Sequence, residues 1–201
     1  MSIFRKIFGS SNDASQEANE SEYNPFQEVN VNLPVDELFT LNFKKNGGKF
    51  LYCENLAELN EQFENILEEN DWFESEAICL ESKLFGMLDS NNITYLNTTR
   101  PKFLLATCEG LIAEDGSIMF SSSQIKHNKI NELPDSIVVI GATSQMVPGK
   151  SDGLREIKKR YTTNYPTNIT TIKYFEKVKE EDFLHYGSSP KNVYLLLLED
   201  L

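Results

Sequence analysis

Apolar and polar positions alternate along the chain with two different periods, and the change of period marks the elements. Leu56, Leu59, Phe63, Ile66 and Leu67 recur at spacings of three and four, which predicts an amphipathic helix over residues 55–70. Asn55 supplies its cap and Glu58 a capping-box partner. Its other face carries Glu58, Glu61, Glu64 and Glu68 and reads as a solvated surface. Short β-branched or aromatic runs predict strands at Lys49–Cys53, Ala77–Leu80, Ile93–Leu96, Asn168–Phe175 and Asn192–Leu198. Ile137-Val138-Val139-Ile140, uncharged and closed by Gly141, has the composition of a buried central strand. Leu111-Ile112-Ala113 and Ile118-Met119-Phe120 flank Asp115-Gly116, a pairing that predicts a hairpin with a type I′ turn. Asp36–Phe39 suggests one helical turn, Asn46-Gly47-Gly48 a reversal, and residues 82–89 a short helix. Gly149–Tyr161 reads as a helix whose end gathers Arg155, Lys158, Lys159 and Arg160, where cations complement the helix dipole. The order β-α-β-α-β, then a hairpin and more strands, predicts an α/β domain: a Rossmann-like, largely parallel sheet with an added β-hairpin.

This patterning begins near Asp36, so residues 36–201 form the expected domain and 1–35 a tail and linker. Ile3, Phe4, Ile7 and Phe8 make a tiny basic amphipathic segment at 1–9, which is either a docking element or a frayed end. Residues 10–22 hold no large apolar side chain and are expected to be disordered. Residues 23–35, with Pro25 and Pro34, suggest an extended strap.

Charge narrows the partners. Nineteen Lys and Arg against 31 Asp and Glu give a net charge of −12, which argues against nucleic acid and anionic membranes but leaves room for a small anionic ligand. Cys53, Cys79 and Cys108 are widely spaced, consistent with reduced thiols in a cytoplasmic setting. No transmembrane segment or signal peptide is expected.

Candidate chemistry concentrates between Phe103 and Pro148, because strand ends in α/β sheets are where ligands bind. Glu109 and Glu114 flank one apolar run. Five residues apart, they point to opposite faces of a regular strand, so they are not expected to form an acid–base pair. Either could act alone as nucleophile or base, or could cap backbone N–H groups. Gly110, Gly116 and Ser117 could cradle an anion, with Ser121, Ser122, Asn128, Lys129 and Gln145 as further binding candidates. Ser121–Ser123 with His127 lacks a nucleophile elbow, and neither His127 nor His185 supports a metal site. No GxGxxG or P-loop pattern occurs, and no cofactor is expected.

At this stretch the chain resembles the LUD-domain family of lactate-utilisation proteins (LutC/YkgG type). The matching positions are Cys108, Glu109, Ile112, Ala113, Glu114, Gly116, Ser117, Ser122, Pro134, Gln145 and Val147. The resemblance covers about three-quarters of the chain, from Phe50 to Leu198. It implies a fold like the NagB/RpiA/CoA-transferase group in a cytoplasmic bacterial protein, and a part in oxidising lactate to pyruvate with iron–sulfur partner subunits. Two family segments differ: Ile172-Lys173-Tyr174-Phe175-Glu176 stands where a polar Gly-Pro-Ser segment is common, and Tyr186–Pro190 replaces His-Gly-Pro. Without a cysteine cluster the chain itself is not expected to carry an iron–sulfur centre. Three functions stay open: an accessory component of organic-acid utilisation, a non-catalytic binding or regulatory relic of the fold, and an acyl- or CoA-transfer enzyme using a strand-end Glu.

Overall fold

Five strands run parallel to one another and organise the molecule, the middle three of them largely buried. The computed structural model describes residues 33–173, 175 and 190–200. Expectations for residues 1–32, Tyr174, Glu176, His185 and 186–189 lie outside the described residues. Residues 34–201 form one compact unit.

In chain order the elements are α1 (Val35–Lys45), β1 (Lys49–Cys53), α2 (Leu56–Asn70), β2 (Ala77–Ile78), α3 (Phe85–Ser90, entered by a 3-10 turn at Ser82–Leu84) and β3 (Phe103–Thr107). Then follow β4 (Gly110–Ile112), β5 (Ser117–Phe120), α4 (Ser122–Ile125), β6 (Ser136–Ala142), β7 (Met146–Val147), α5 (Lys150–Arg160), β8 (Thr170–Ile172) and β9 (Asn192–Leu198). The main sheet has the order β1-β9-β6-β3-β2, with every pairing parallel. The Ile137–Ile140 run lies in β6, the middle strand, as its composition predicts. A second sheet has the order β7-β4-β5-β8. The architecture is therefore α/β with a largely parallel, Rossmann-like sheet, and the hairpin belongs to the second sheet.

α2 begins where the sequence indicates. Asn55 Oδ1 accepts the N–H groups of Ala57 and Glu58, and Glu58 reaches back to the N–H of Glu54 rather than to that of Asn55. Replacing Asn55 by Ala should cost about 1 kcal/mol in chemical denaturation, and Asn55→Asp should restore most of it. The apolar face of α2 meets a cluster in which Trp72 stacks on Phe103, centroids 4.8 Å apart. A smaller cluster of Ile112, Met119, Val147 and Ile157 joins the second sheet to α5.

Five local expectations change. The strand expected over Ala77–Leu80 ends at Ile78. The turn at Asp36–Phe39 is an eleven-residue helix, α1, whose Phe39 and Phe43 are buried one turn apart. Ile93–Leu96 is not a strand, since only Thr94 pairs, in a single bridge to Glu76. Asn92 and Asn97, both at φ 55, turn the chain away on either side. The hairpin turn is not type I′: Ile112 pairs with Ser117, leaving four residues in the loop, and only Gly116 has positive φ. The strand expected over 168–175 is confined to Thr170–Ile172.

Candidate functional site

A cleft of about 480 Å³ opens at the carboxyl ends of β9, β6 and β3. The parallel sheet dictates this place, since its strands all release their following loops at one edge. Leu198 and Asp200 line it from the end of β9, Ile140–Ala142, Ser144 and Gln145 from β6, and Thr107, Cys108 and Glu109 from β3. Glu81 and Lys83 contribute from beyond β2, Ser123 and Gln124 from α4, and Arg160 and Tyr161 from the end of α5.

Glu109 is the centre of this arrangement. It sits at the crossover where the chain leaves the main sheet for the second one, and its N–H donates to the Met119 carbonyl at 2.8 Å. Its side chain is 1% exposed, so its charge depends on partners. Oε1 accepts from the Ser121 hydroxyl at 2.7 Å, Gln124 Nε2 at 3.1 Å and the Tyr161 hydroxyl at 3.1 Å. Oε2 pairs with Arg160 Nη1 at 2.9 Å, and the guanidinium also leans on the Glu109 carbonyl. Ser121 and Gln124 are held in turn by the capping box of α4. A carboxylate with both oxygens so occupied is poorly suited to attack an acyl group, because attack would strip it of its donors. It suits holding Arg160, whose side chain is 42% exposed at the cleft wall.

The remaining walls are pinned as firmly. Glu81 accepts the Thr107 N–H at 2.7 Å and its hydroxyl at 2.6 Å, and pairs with Lys83 at 3.2 Å. Asp200 takes the hydroxyls of Thr143 and Ser144 at 2.8 and 2.6 Å and the Ser144 N–H at 2.9 Å. Burial alone would raise the Asp200 carboxyl, but these donors outweigh it and hold the group below its ordinary range. Gln145 stitches the β6 loop to the crossover, accepting from the Ala142 N–H at 2.8 Å and donating to the Cys108 carbonyl at 2.7 Å.

Burial, then the nearby Glu109 charge, pushes the Cys108 thiol up to about 12. Burial likewise lifts Cys53 to about 11 and raises Cys79. Thiolate chemistry at neutral pH is therefore unavailable to them. Native protein at pH 8 should show no fast-reacting thiol with a disulfide reagent, and three once unfolded. One rapid thiol in the native state would contradict this.

Of the residues singled out in the sequence, Glu109, Gln145 and Ser121 come together here, with Gly110 continuing into β4 next to Glu109. Glu114 does not. It caps α5 at the opposite end, accepting the Lys150 N–H at 3.0 Å, while Glu109 holds Arg160 at the other. Ten helical rises separate the two attachment points, about 15 Å. Gly116 and Ser117 lie at that far end too. Gly116 packs against the backbone of α1, and buried Ser117 bonds Asp115. These two do not form an anion cradle with Gly110. Ser122 ties its N–H and hydroxyl to Thr167, the Asn128 N–H donates to the Ile125 carbonyl, and the Lys129 N–H donates to Glu132. None of the three lines the cleft. His127 is exposed and unconnected to the serines.

Sequence reasoning missed Arg160, Tyr161, Glu81, Lys83, Gln124 and Asp200. Arg160 carried a signal, a basic helix end, but the dipole accounted for it. Among the described residues no group of three or more His, Cys, Asp or Glu side chains is placed to hold a metal, and no helix is long and apolar enough to cross a membrane.

The crystal structure of a DUF162 family protein from Deinococcus radiodurans shares the fold, with a TM-score of 0.58 at 12% identity over 83% of this chain and 96% of that one. A comparison with curated proteins gives no match. The family model of the LUD domain matches residues 37–198. That span takes in both sheets and nearly every wall of the cleft, and the chain belongs to the LUD domain family.

Proposed function

We propose that this chain is an accessory component of lactate or related organic-acid utilisation. In this reading it holds a small carboxylic acid in the cleft and works with iron–sulfur oxidoreductase subunits that take the electrons. Membership of the LUD family supports the metabolic context. The observation that carries the ligand class is Arg160, a guanidinium fixed from behind by buried Glu109 and open to the cleft in front. Guanidinium N–H groups match a carboxylate in planar, paired geometry. Lys83, although paired with Glu81, keeps a mostly exposed ammonium on the cleft wall. The hydroxyls of Ser123, Ser144 and Tyr161 offer partners to a substituent on the acid.

A thermal-shift panel of lactate, pyruvate, longer hydroxy acids, acyl-CoA and nucleotides tests it. An acid held at about a hundred times its dissociation constant stabilises the fold by about 2.7 kcal/mol, about 5–10 °C in a domain of this size. A shift with acids alone supports the reading. A shift with acyl-CoA alone would move it to acyl transfer, and none at all would favour the non-catalytic relic.

A further inference from the structure

We infer that Glu109 is a positioning residue that fixes the direction of the Tyr161 hydroxyl, and so makes the cleft prefer 2-hydroxy acids to the matching 2-oxo acids. The inference rests on the reading that the cleft holds a carboxylic acid, and adds which oxidation level it selects.

An ionised carboxylate only accepts, so at the 3.1 Å contact Tyr161 must spend its single proton on Glu109 Oε1. The phenol oxygen then presents only acceptor capacity to the cleft it lines. The Ser123 hydroxyl lines the same wall and can take one lone-pair direction, leaving the other. Arg160, on the same carboxylate, keeps N–H donors beyond those directed at Glu109. An acid whose carboxylate sits on Arg160 therefore meets an acceptor at Tyr161. A 2-hydroxyl can donate to it. A 2-oxo group, itself an acceptor, faces it lone pair to lone pair. A site built around a substrate hydroxyl discriminates through such mismatches. The electrostatics agree, since burial and then the Glu109 charge hold the phenol above its ordinary pKa and keep it protonated toward Glu109.

Calorimetric titration of lactate and pyruvate into the full chain, in wild-type, Tyr161→Phe and Glu109→Gln forms, tests this. Circular dichroism checks that each variant folds. Wild type should bind lactate about five- to tenfold tighter than pyruvate, the value of one hydrogen bond. Tyr161→Phe should erase that ratio by weakening lactate while leaving pyruvate nearly unchanged. Glu109→Gln should erase it too, because an amide can donate to the phenol oxygen and lets the phenol proton turn into the cleft. A lactate preference that survives in both variants overturns the inference while leaving acid binding intact. If neither acid binds wild type, the reading of the cleft fails, and the phenol itself decides the positioning role. Ultraviolet titration, taken as wild type minus Tyr161→Phe, should show Tyr161 ionising at higher pH than in the Glu109→Gln background. Equal titration would overturn it.

Discussion

Replacing Glu109 by Ala lowers stability by about 3 kcal/mol, the largest loss expected from any single change in the cleft. Gln124 is buried and would lose the acceptor of its amide N–H, at about 1–3 kcal/mol for a buried donor left unmade, and Ser121 would fall back on the longer bond to Gln124 Oε1 at 3.0 Å. Arg160 adds little to the total, because its guanidinium is partly exposed and water takes up its freed donors. Glu109→Gln keeps the shape and some of the hydrogen bonds and should cost about half as much. Thermal unfolding reads both, with a drop of about 6–12 °C expected for the alanine variant. A Glu109→Ala protein as stable as wild type would mean that the network is not what seats the crossover between the sheets.

Gly116→Ala is the second large effect, and it acts far from the cleft. Gly116 has φ 65, where an L side chain costs about 1–2 kcal/mol. A Cβ there would also collide with the backbone of Asn42 and Phe43 in α1. Neither atom can rotate away, so α1 must lift from the hairpin, breaking the Asn42 Nδ2 bond to the Ala113 carbonyl and disturbing Phe43. We expect a loss of about 3 kcal/mol or more. Because the cleft is assembled elsewhere, ligand affinity measured well below the unfolding transition should be unchanged. A variant of wild-type stability would show that α1 does not press on the hairpin as described.

What could be read from the sequence was local. The spacing of Leu59, Phe63, Ile66 and Leu67 and the Asn55 cap are decided within one helix, and the Ile137–Ile140 run declares burial on both faces by itself. α1 was legible only in part. Thr40 and Asn42 weaken its helical pattern, yet Phe39 and Phe43, with acids in the first turn and lysines in the last, carried the signal. Ile93–Leu96 shows the opposite error, with strand-like residues held by turns too close on either side to build a ladder. The cleft was legible as a region but not as a constellation. Glu109 stood out beside its apolar run, whereas Arg160 and Tyr161 lie 51 and 52 positions further on and Asp200 further still. Only the folded sheets bring these together, and periodicity does not encode contacts across such separations. The same reason separates Glu109 from Glu114. Neighbours in sequence, they hold opposite ends of one helix.

Recognition of a carboxylic acid through Arg160 can be read from calorimetric titration of lactate into wild-type and Arg160→Met protein. Met keeps much of the length and apolar bulk of the arginine while removing every donor. Wild type should bind lactate saturably and the variant at least about tenfold more weakly, since hydrogen bonds to charged groups are each worth about 1.5–3 kcal/mol. Lactate bound equally by both proteins would contradict it.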